Sequence, residues 1–422
     1  MKTHFSISTD RIFRLFLVGW CLVVTAPAQT QQAHDPPTNQ DQINQQLLQR
    51  LHELEEEVKL LKAQAATPPA APVPAPEPPR VVESPAVNEV APRLKLNVFG
   101  DVGGQLYNHN PDTFLFGSLD LFMTARLSDK VSTLGEVLFI ARNDNSIELD
   151  VERLLLQYRQ SDYFTAAIGR YHSWVGYYNT AFNYGEFLET TTDRPFIYAF
   201  DDGGGVLPMQ EVGITLTGKI PSAKMGLHYV VEAGNGRAWG PGVEAAQNNQ
   251  DANNRKSING GLFLRPEGAF GLQLGFSVRY DNLAIPGPAV GETIATVHGV
   301  FVNSNYEILN EGVLVRHVEP SGPVFNTSAF YTQFSRRFRA FRPYFRYQYF
   351  NADNHDPVYV YAAPNDYSPQ YVNGFVGRVN GPSAGIRFDF TEHSALKVQY
   401  DRISERSLPT VNGVTSQIAF TF

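Results

Sequence analysis

The chain has 422 residues, 18% charged and 12% aromatic, with a formal charge of −8 from 34 Lys+Arg against 42 Asp+Glu. That mildly acidic balance argues against a nucleic-acid partner, which calls for a basic surface. A mean hydropathy of −0.24 excludes a bundle of membrane helices, but it fits a barrel whose strands alternate apolar-out and polar-in.

At the start, Lys2, Arg11 and Arg14 precede an uncharged, mostly apolar run, Leu15 to Val24, and Ala26-Pro27-Ala28 offers a small-residue cleavage site before Gln29. This three-part pattern predicts a secretory signal over 1–28. The run is too short for a spanning helix, which needs roughly 20 apolar residues. The single cysteine, Cys21, falls within this segment, so the mature chain has no disulfide framework.

Residues 40–64 carry a heptad seam: Asn44, Leu51 and Val58 at a, and Leu47, Leu54 and Leu61 at d. So short a helix is marginal alone. Winding against copies of itself buries the seam, and Asn44 would fix the register. An amphipathic helix packed on the barrel is the alternative, but the seam is narrow and strictly heptad. From 67 to 92 the sequence turns Pro-rich (TPPAAPVPAPEPPRVVESPAVNEVAP), which predicts a semi-rigid polyproline linker between two modules.

Residues 93–422 read as an all-β transmembrane domain, an antiparallel β-barrel of about 16 strands. Leu272, Leu274, Phe276, Val278 and Tyr280 alternate with Gln273, Ser277, Arg279 and Asp281, and Phe341, Phe345, Tyr347 and Tyr349 alternate with Arg342, Tyr344, Arg346 and Gln348. Hydrocarbon does not tolerate the charged face, so that face points inward and the inside is expected to be wet. Short turns near 128–130, 161–162, 221–222, 266–268, 303–305, 339–340 and 391–393 separate longer segments near 108–113, 143–147, 172–209, 235–256, 282–292, 318–324, 351–380 and 404–413. Seven turns between eight loops give 16 strands. An even count puts both ends in the periplasm, on the side of the short turns. The chain closes on Phe422, the last residue of an amphipathic strand, as in the assembly signal that outer-membrane barrels present to their assembly machinery. A soluble β-sandwich or β-helix accounts for alternation, but not for secretion signal, aromatic terminus and two classes of connection together.

A barrel of this size holds an aqueous channel that side chains cannot fill. The third long segment, His172 to Met209, is rich in Tyr and Phe and carries Glu186, Glu189, Asp193, Arg194, Asp201 and Asp202. So aromatic a loop is poorly placed in bulk water. It is expected to fold inward and narrow the pore, with its carboxylates facing Arg142, Arg153 and Arg159 or, across the lumen, Arg342 and Arg346. The alternative is a loop that covers the mouth or contacts another subunit. A row of lumen arginines favours anions, but the inward acids Asp101, Asp120, Glu136, Glu232, Asp281 and Asp389 oppose it. No G-x-S-x-G, P-loop or Cys/His cluster is present. His172, Glu186 and Glu189 have no known metal-ligand spacing, so neither an enzyme nor a metal or cofactor is expected.

In layout the chain resembles the trimeric 16-strand porins grouped with the phosphate-selective porins, closest to those with an N-terminal coiled coil. The coiled coil at 44–61, the linker, the barrel at 93–422, the long third loop and Phe422 carry the resemblance. It implies an outer-membrane homotrimer with its coiled coil in the periplasm, passive diffusion of small polar or anionic solutes, and constriction by the third loop. The phosphate specialists line that constriction with arginines and lysines. Here the loop has only Arg194, so phosphate selectivity is not carried over. A structural or adhesive anchor, its coiled coil and Pro-rich arm binding the cell wall or a partner, is the competing reading; a barrel enzyme is a third that nothing in the sequence favours.

Overall fold

The computed structural model describes Lys59 and residues 93–422, apart from 109–110, 143–144, 183–184, 199–205, 238–248, 252, 286, 361–376 and 407–408. The chain divides into two units, Met1–Ala86 and Val87–Phe422, and the barrel is the second. The signal segment, the seam residues Asn44 to Leu61 and the linker lie outside the described residues, as do Asp201 and Asp202.

Sixteen strands follow one another: β1 Arg93–Tyr107, β2 Thr113–Arg126, β3 Val131–Ala141, β4 Ile147–Ser161, β5 Phe164–His172, β6 Gln210–Ile220, β7 Leu227–Gly234, β8 Ser257–Leu264, β9 Leu272–Leu283, β10 Val290–Val302, β11 Tyr306–Val318, β12 Val324–Arg336, β13 Phe341–Ala352, β14 Gly377–Thr391, β15 Ser394–Glu405 and β16 Val411–Thr421. Each pairs antiparallel with its sequence neighbours, and β1 pairs with β16 to close the barrel. Phe422 completes the seam: its N–H donates to Val98 O at 3.0 Å, and its carbonyl accepts from Val98 N at 2.9 Å. Closure leaves no sheet edge with unpaired backbone groups, the condition for a barrel in lipid. Among the described residues no helix is long and apolar enough to cross a membrane.

Alternation sorts the side chains. Leu154, Leu156, Phe276, Val278, Val297, Leu314 and Ile418 stand exposed on the outer wall, while Ser277, Arg279, Asp281, Glu292 and Gln399 are buried inside. Seven connections lie at one end and eight at the other, and the three longest, 173–209, 235–256 and 353–376, share the second end as the alternating pattern predicts, although the turns at 221–226 and 265–271 are as long as several of the loops. The turns follow local chemistry. Asn303 Oδ1, for example, accepts the N–H groups of Asn305 (2.9 Å) and Tyr306 (2.8 Å) to reverse the chain between β10 and β11.

Two details depart from the sequence reading. The fifth and seventh loops are shorter than 282–292 and 351–380, because pairing extends the strands: Asn282 pairs with Gly291, and Ala352 with Gly377. The pleat also breaks at four bulges, two beside turns, at Arg159/Ser161 in β4 and Asp389/Thr391 in β14, and two deeper in the wall. In β2 the register moves from Val102↔Phe116 to Gly100↔Leu119, and in β4 from Leu138↔Asp150 to Glu136↔Arg153. The extra residues let Glu152 as well as Arg153 take up polar partners, Glu152 with His172 and Arg153 with Glu136.

Candidate functional site: the third loop inside the barrel

The connection between β5 and β6 leaves the wall through a narrow neck. Ser173 N donates to Met209 O at 2.9 Å, and the Asn179 amide donates to Ser173 O (2.9 Å) and Met209 O (2.8 Å). Beyond the neck lie a helical turn, Tyr178–Ala181, and a 3-10 turn, Phe196–Tyr198. Val175, Tyr178, Phe196, Ile197, Tyr198, Val206 and Leu207 are buried in one apolar cluster with inward-facing Ile294, Leu309, Val313, Ala329, Tyr331 and Phe350. Tyr178 stacks on Tyr198 with centroids 5.5 Å apart and meets Tyr331 edge-on at 6.2 Å. The lumen is therefore not wet throughout: the loop dries the inner face of β10–β13, which is why that face carries aliphatic side chains.

Polar anchors hold the loop's backbone. The Glu311 carboxylate accepts from Tyr177 N (2.5 Å), Tyr178 N (3.0 Å), Tyr198 OH (2.9 Å) and Tyr331 OH (2.5 Å). Gln348 Oε1 accepts from Phe196 N at 2.6 Å, and Glu307 Oε2 from Thr190 Oγ1 at 3.1 Å. A row of cations on β13–β15 then grips the far half of the loop. Arg346 Nη1 donates to Asp193 O at 2.9 Å, and its other arm pairs with the Asp193 carboxylate. Arg387 Nη1 donates to Phe187 O (2.6 Å) and Glu189 O (2.7 Å) and lies over the Phe187 ring. Lys397 Nζ donates to Glu186 O and, at 2.8 Å, to Thr191 O. Gln399 Nε2 reaches Asp193 Oδ1 at 2.8 Å. Peptide carbonyls are strong acceptors that burial leaves needing partners, and buried cations need acceptors in turn; the two requirements are met together.

Of the charges singled out in the sequence, Arg346 and Asp193 come together. Arg342 does not meet a loop acid: it donates to Thr190 Oγ1 at 3.2 Å and lies 3.8 Å from Glu307 on the wall. Among the described residues Arg153 pairs with Glu136 and Arg142 with Glu148, both acids of the wall and not of the loop. Arg159 is exposed two residues from the end of β4, at the short-turn mouth. His172 bonds to Glu152 at 2.7 Å. Glu186 lies near Gln417, whose Nε2 is 3.3 Å from its carboxylate. Glu189 is buried, and burial, reinforced by neighbouring Glu186, pushes its pKa up to about 8 against the pull of Lys397 and Arg194. Burial and then Asp101 raise Glu186 as well. Arg387, Lys397, Glu311 and Gln348 are loop anchors that the sequence does not single out; for Gln348 the signal is its place on an inward-facing alternation.

A second charged group sits on the wall of β6 and β9–β11. Arg279 contacts Glu211 (3.0 Å), Asp281 (2.9 Å) and Glu292 (3.3 Å), and His317 bridges Glu292 (3.0 Å) and Asp356 (2.7 Å). These interior cations are neutralised locally. Half-exposed Phe99, Asp101, Gln105, Phe122, Thr124 and Gln157 line the inner faces of β1, β2 and β4.

A closed 16-strand antiparallel barrel with a long third connection tied down inside it defines an outer-membrane porin-type fold. Solved structures agree. The chain is similar to an anion-selective porin from Comamonas acidovorans (11% identity, 78% of this chain and 100% of that one, TM-score 0.56) and to the outer membrane channel DcaP of Acinetobacter baumannii (12%, 79% and 98%, 0.51). It is also similar to a trimer form of OmpT, an outer membrane protein of Vibrio cholerae (10%, 79% and 100%, 0.50). At such identities the likeness is one of fold. No protein-family profile matches the sequence, and no curated protein matches it.

Proposed function

We propose that this protein is an outer-membrane channel through which small hydrophilic solutes diffuse passively, narrowed by the third loop. One observation carries the reading: a loop fastened across the interior of a barrel whose inner wall is polar outside the patch that receives the loop, and whose outer wall is apolar. The outer wall suits hydrocarbon, with Phe114 and Tyr280 exposed towards the loop end and Tyr158, Phe334, Phe341 and Phe390 towards the turn end, in the positions of aromatic girdles. Short turns face the periplasm on this reading, and long loops face outward.

The route for solute runs between the third loop and the half-exposed inner faces of β1, β2 and β4. Interior cations are already tied to carbonyls or acids. The exposed Arg93, Lys95 and Arg159, inward by alternation at the short-turn mouth, supply a weak preference for anions. The chain is further proposed to be exported by the 1–28 signal, assembled through Phe422, and held as a homotrimer with help from the periplasmic coiled coil. The trimeric form of the similar Vibrio cholerae barrel and the heptad seam support that assembly.

Planar-bilayer conductance of the refolded mature protein tests the proposal. Steps in groups of three, with a reversal potential of anion-selective sign in a salt gradient, are expected. A correctly folded barrel without conductance would overturn the channel and leave the anchor reading.

A further inference from the structure

On the outer wall at the loop end of β14 and β15, Arg378, Arg402 and Arg406 are all exposed. Arg378 alternates with buried Gly377 and Val379, and Arg402 with buried Asp401 and Ile403, so both project away from the lumen. The register Asn380↔Ser404 and Val379↔Glu405 carries on to Arg378 opposite Arg406, whose N–H donates to Arg378 O at 2.9 Å. Two guanidinium side chains thus stand directly across from one another on one face, a pairing that repels unless an anion lies between them. Arg402 lies four residues back along β15, roughly 13 Å at the strand rise.

Among the described residues, no acid supplies that anion. None of the three arginines has a carboxylate partner among the described residues. The acids of the same strand turn inward: Asp401 is fully buried and accepts from Tyr107 OH and Gln399, and Glu405 shares its face. The outward neighbours are neutral and hydrogen-bonding. Arg402 pairs with Asn412, Arg378 with Asn351, and Asn380 and Ser404 lie between. On the membrane side of this patch Tyr400 is 46% exposed, with its hydroxyl on Asn412 Oδ1 at 3.2 Å. An outward tyrosine just below three arginines marks the depth at which lipid headgroups begin.

We propose that Arg378, Arg402 and Arg406 bind the phosphate groups of a lipid of the outer leaflet. The paired arginines would take one phosphate by forked hydrogen bonds and Arg402 a second, with the acyl chains lying on the apolar wall below. This rests on the reading of the barrel as an outer-membrane protein with its loops outward. A free phosphate would satisfy the guanidiniums too. The site's place on the outer wall, at the edge of the apolar belt, favours the lipid.

The test is binding of bisphosphorylated lipid A to the refolded protein in detergent, followed by native mass spectrometry and by titration in rising salt. Parallel arms use dephosphorylated lipid A and inorganic phosphate. Lipid A should bind in a salt-dependent way, the dephosphorylated form at least roughly tenfold more weakly, and inorganic phosphate should not compete at millimolar concentration. Combined Arg378→Gln, Arg402→Gln and Arg406→Gln should lose the preference, while Arg316→Gln, an exposed position on β11, should keep it. Equal binding of the dephosphorylated lipid to the parent protein, or full competition by inorganic phosphate, would overturn the proposal without any variant having to fold. Conductance is read separately, so a silent channel and a missing lipid site are distinguishable.

Discussion

The carboxylate of Glu311, on β11, accepts the backbone N–H of Tyr178 at 3.0 Å, joining the barrel wall to a loop 133 residues earlier in the chain. The same carboxylate takes a second N–H and two tyrosine hydroxyls, so one acid satisfies four donors in a buried place. Removing it strands those donors rather than merely deleting one contact.

Glu311→Ala should therefore loosen the third loop. Each buried donor left unsatisfied costs about 1–3 kcal/mol, enough to release the Tyr177–Tyr178 turn from the wall. The expected result is a larger, noisier single-channel conductance with the barrel still folded, and a lower melting temperature. Glu311→Gln, which keeps an acceptor, should lie between. Unchanged conductance in a folded Glu311→Ala protein would show that the loop does not limit the pore.

Arg346 and Asp193 should be energetically coupled. Arg346 is fully buried and its partner carboxylate is 31% exposed, so screening is incomplete on one side only. In a double-mutant cycle of Arg346→Gln and Asp193→Asn, unfolding in denaturant should give a coupling of about 1–2 kcal/mol. The single variants should also move the reversal potential in opposite senses, Asp193→Asn towards anions and Arg346→Gln towards cations. Additive effects would mean the contact does not hold the loop.

Glu189 sets a pH dependence whose sign follows from its raised pKa of about 8. Between the unfolded carboxylate value of about 4.5 and about 8 the folded protein keeps a proton that the unfolded chain has lost. Stability contributed by this group therefore falls as pH rises through that window, and the full penalty is present above it. The loop should seat more firmly at pH 6 than at pH 9, seen as a higher melting temperature and quieter current at the lower pH. Glu189→Gln should flatten the difference, and an unaltered pH profile in that variant would place the titrating group elsewhere.

The two faces of β4 should respond oppositely to charge. Leu154 is 60% exposed on the outer wall near mid-strand, while Gln157 alternates to the lumen. Leu154→Arg should cost about 2–4 kcal/mol in lipid, as a cation does near the bilayer midplane, and Gln157→Arg should cost little while shifting selectivity towards anions. Reversible folding into liposomes measures both, and equal costs would contradict a lipid-facing outer wall.

Much of the fold was legible because a barrel is built from a local rule. Period-2 alternation assigns each side chain to hydrocarbon or lumen, and turn chemistry marks the ends, so strand number and the inward faces of Arg279, Arg346 and Gln348 could be read one strand at a time. The aromatic content of 172–209 likewise indicated a loop that avoids water. Partners were harder. Arg153 and Arg342 were expected to face loop acids and instead meet Glu136 and Thr190, because a loop's path depends on which wall has apolar side chains to receive it. That wall, β10–β13, is more than 80 residues further along the chain than the loop's end.

The sequence by itself determined the closed antiparallel barrel, its sixteen strands and the sides its residues face, since these follow from alternation and from the need to pair every backbone group. Only the tertiary structure decided which cations grip the third loop, where bulges in β2 and β4 break the pleat, and that Arg378 stands opposite Arg406. Those relationships depend on register and on packing between distant strands, where a shift of one residue would turn every side chain to the other face.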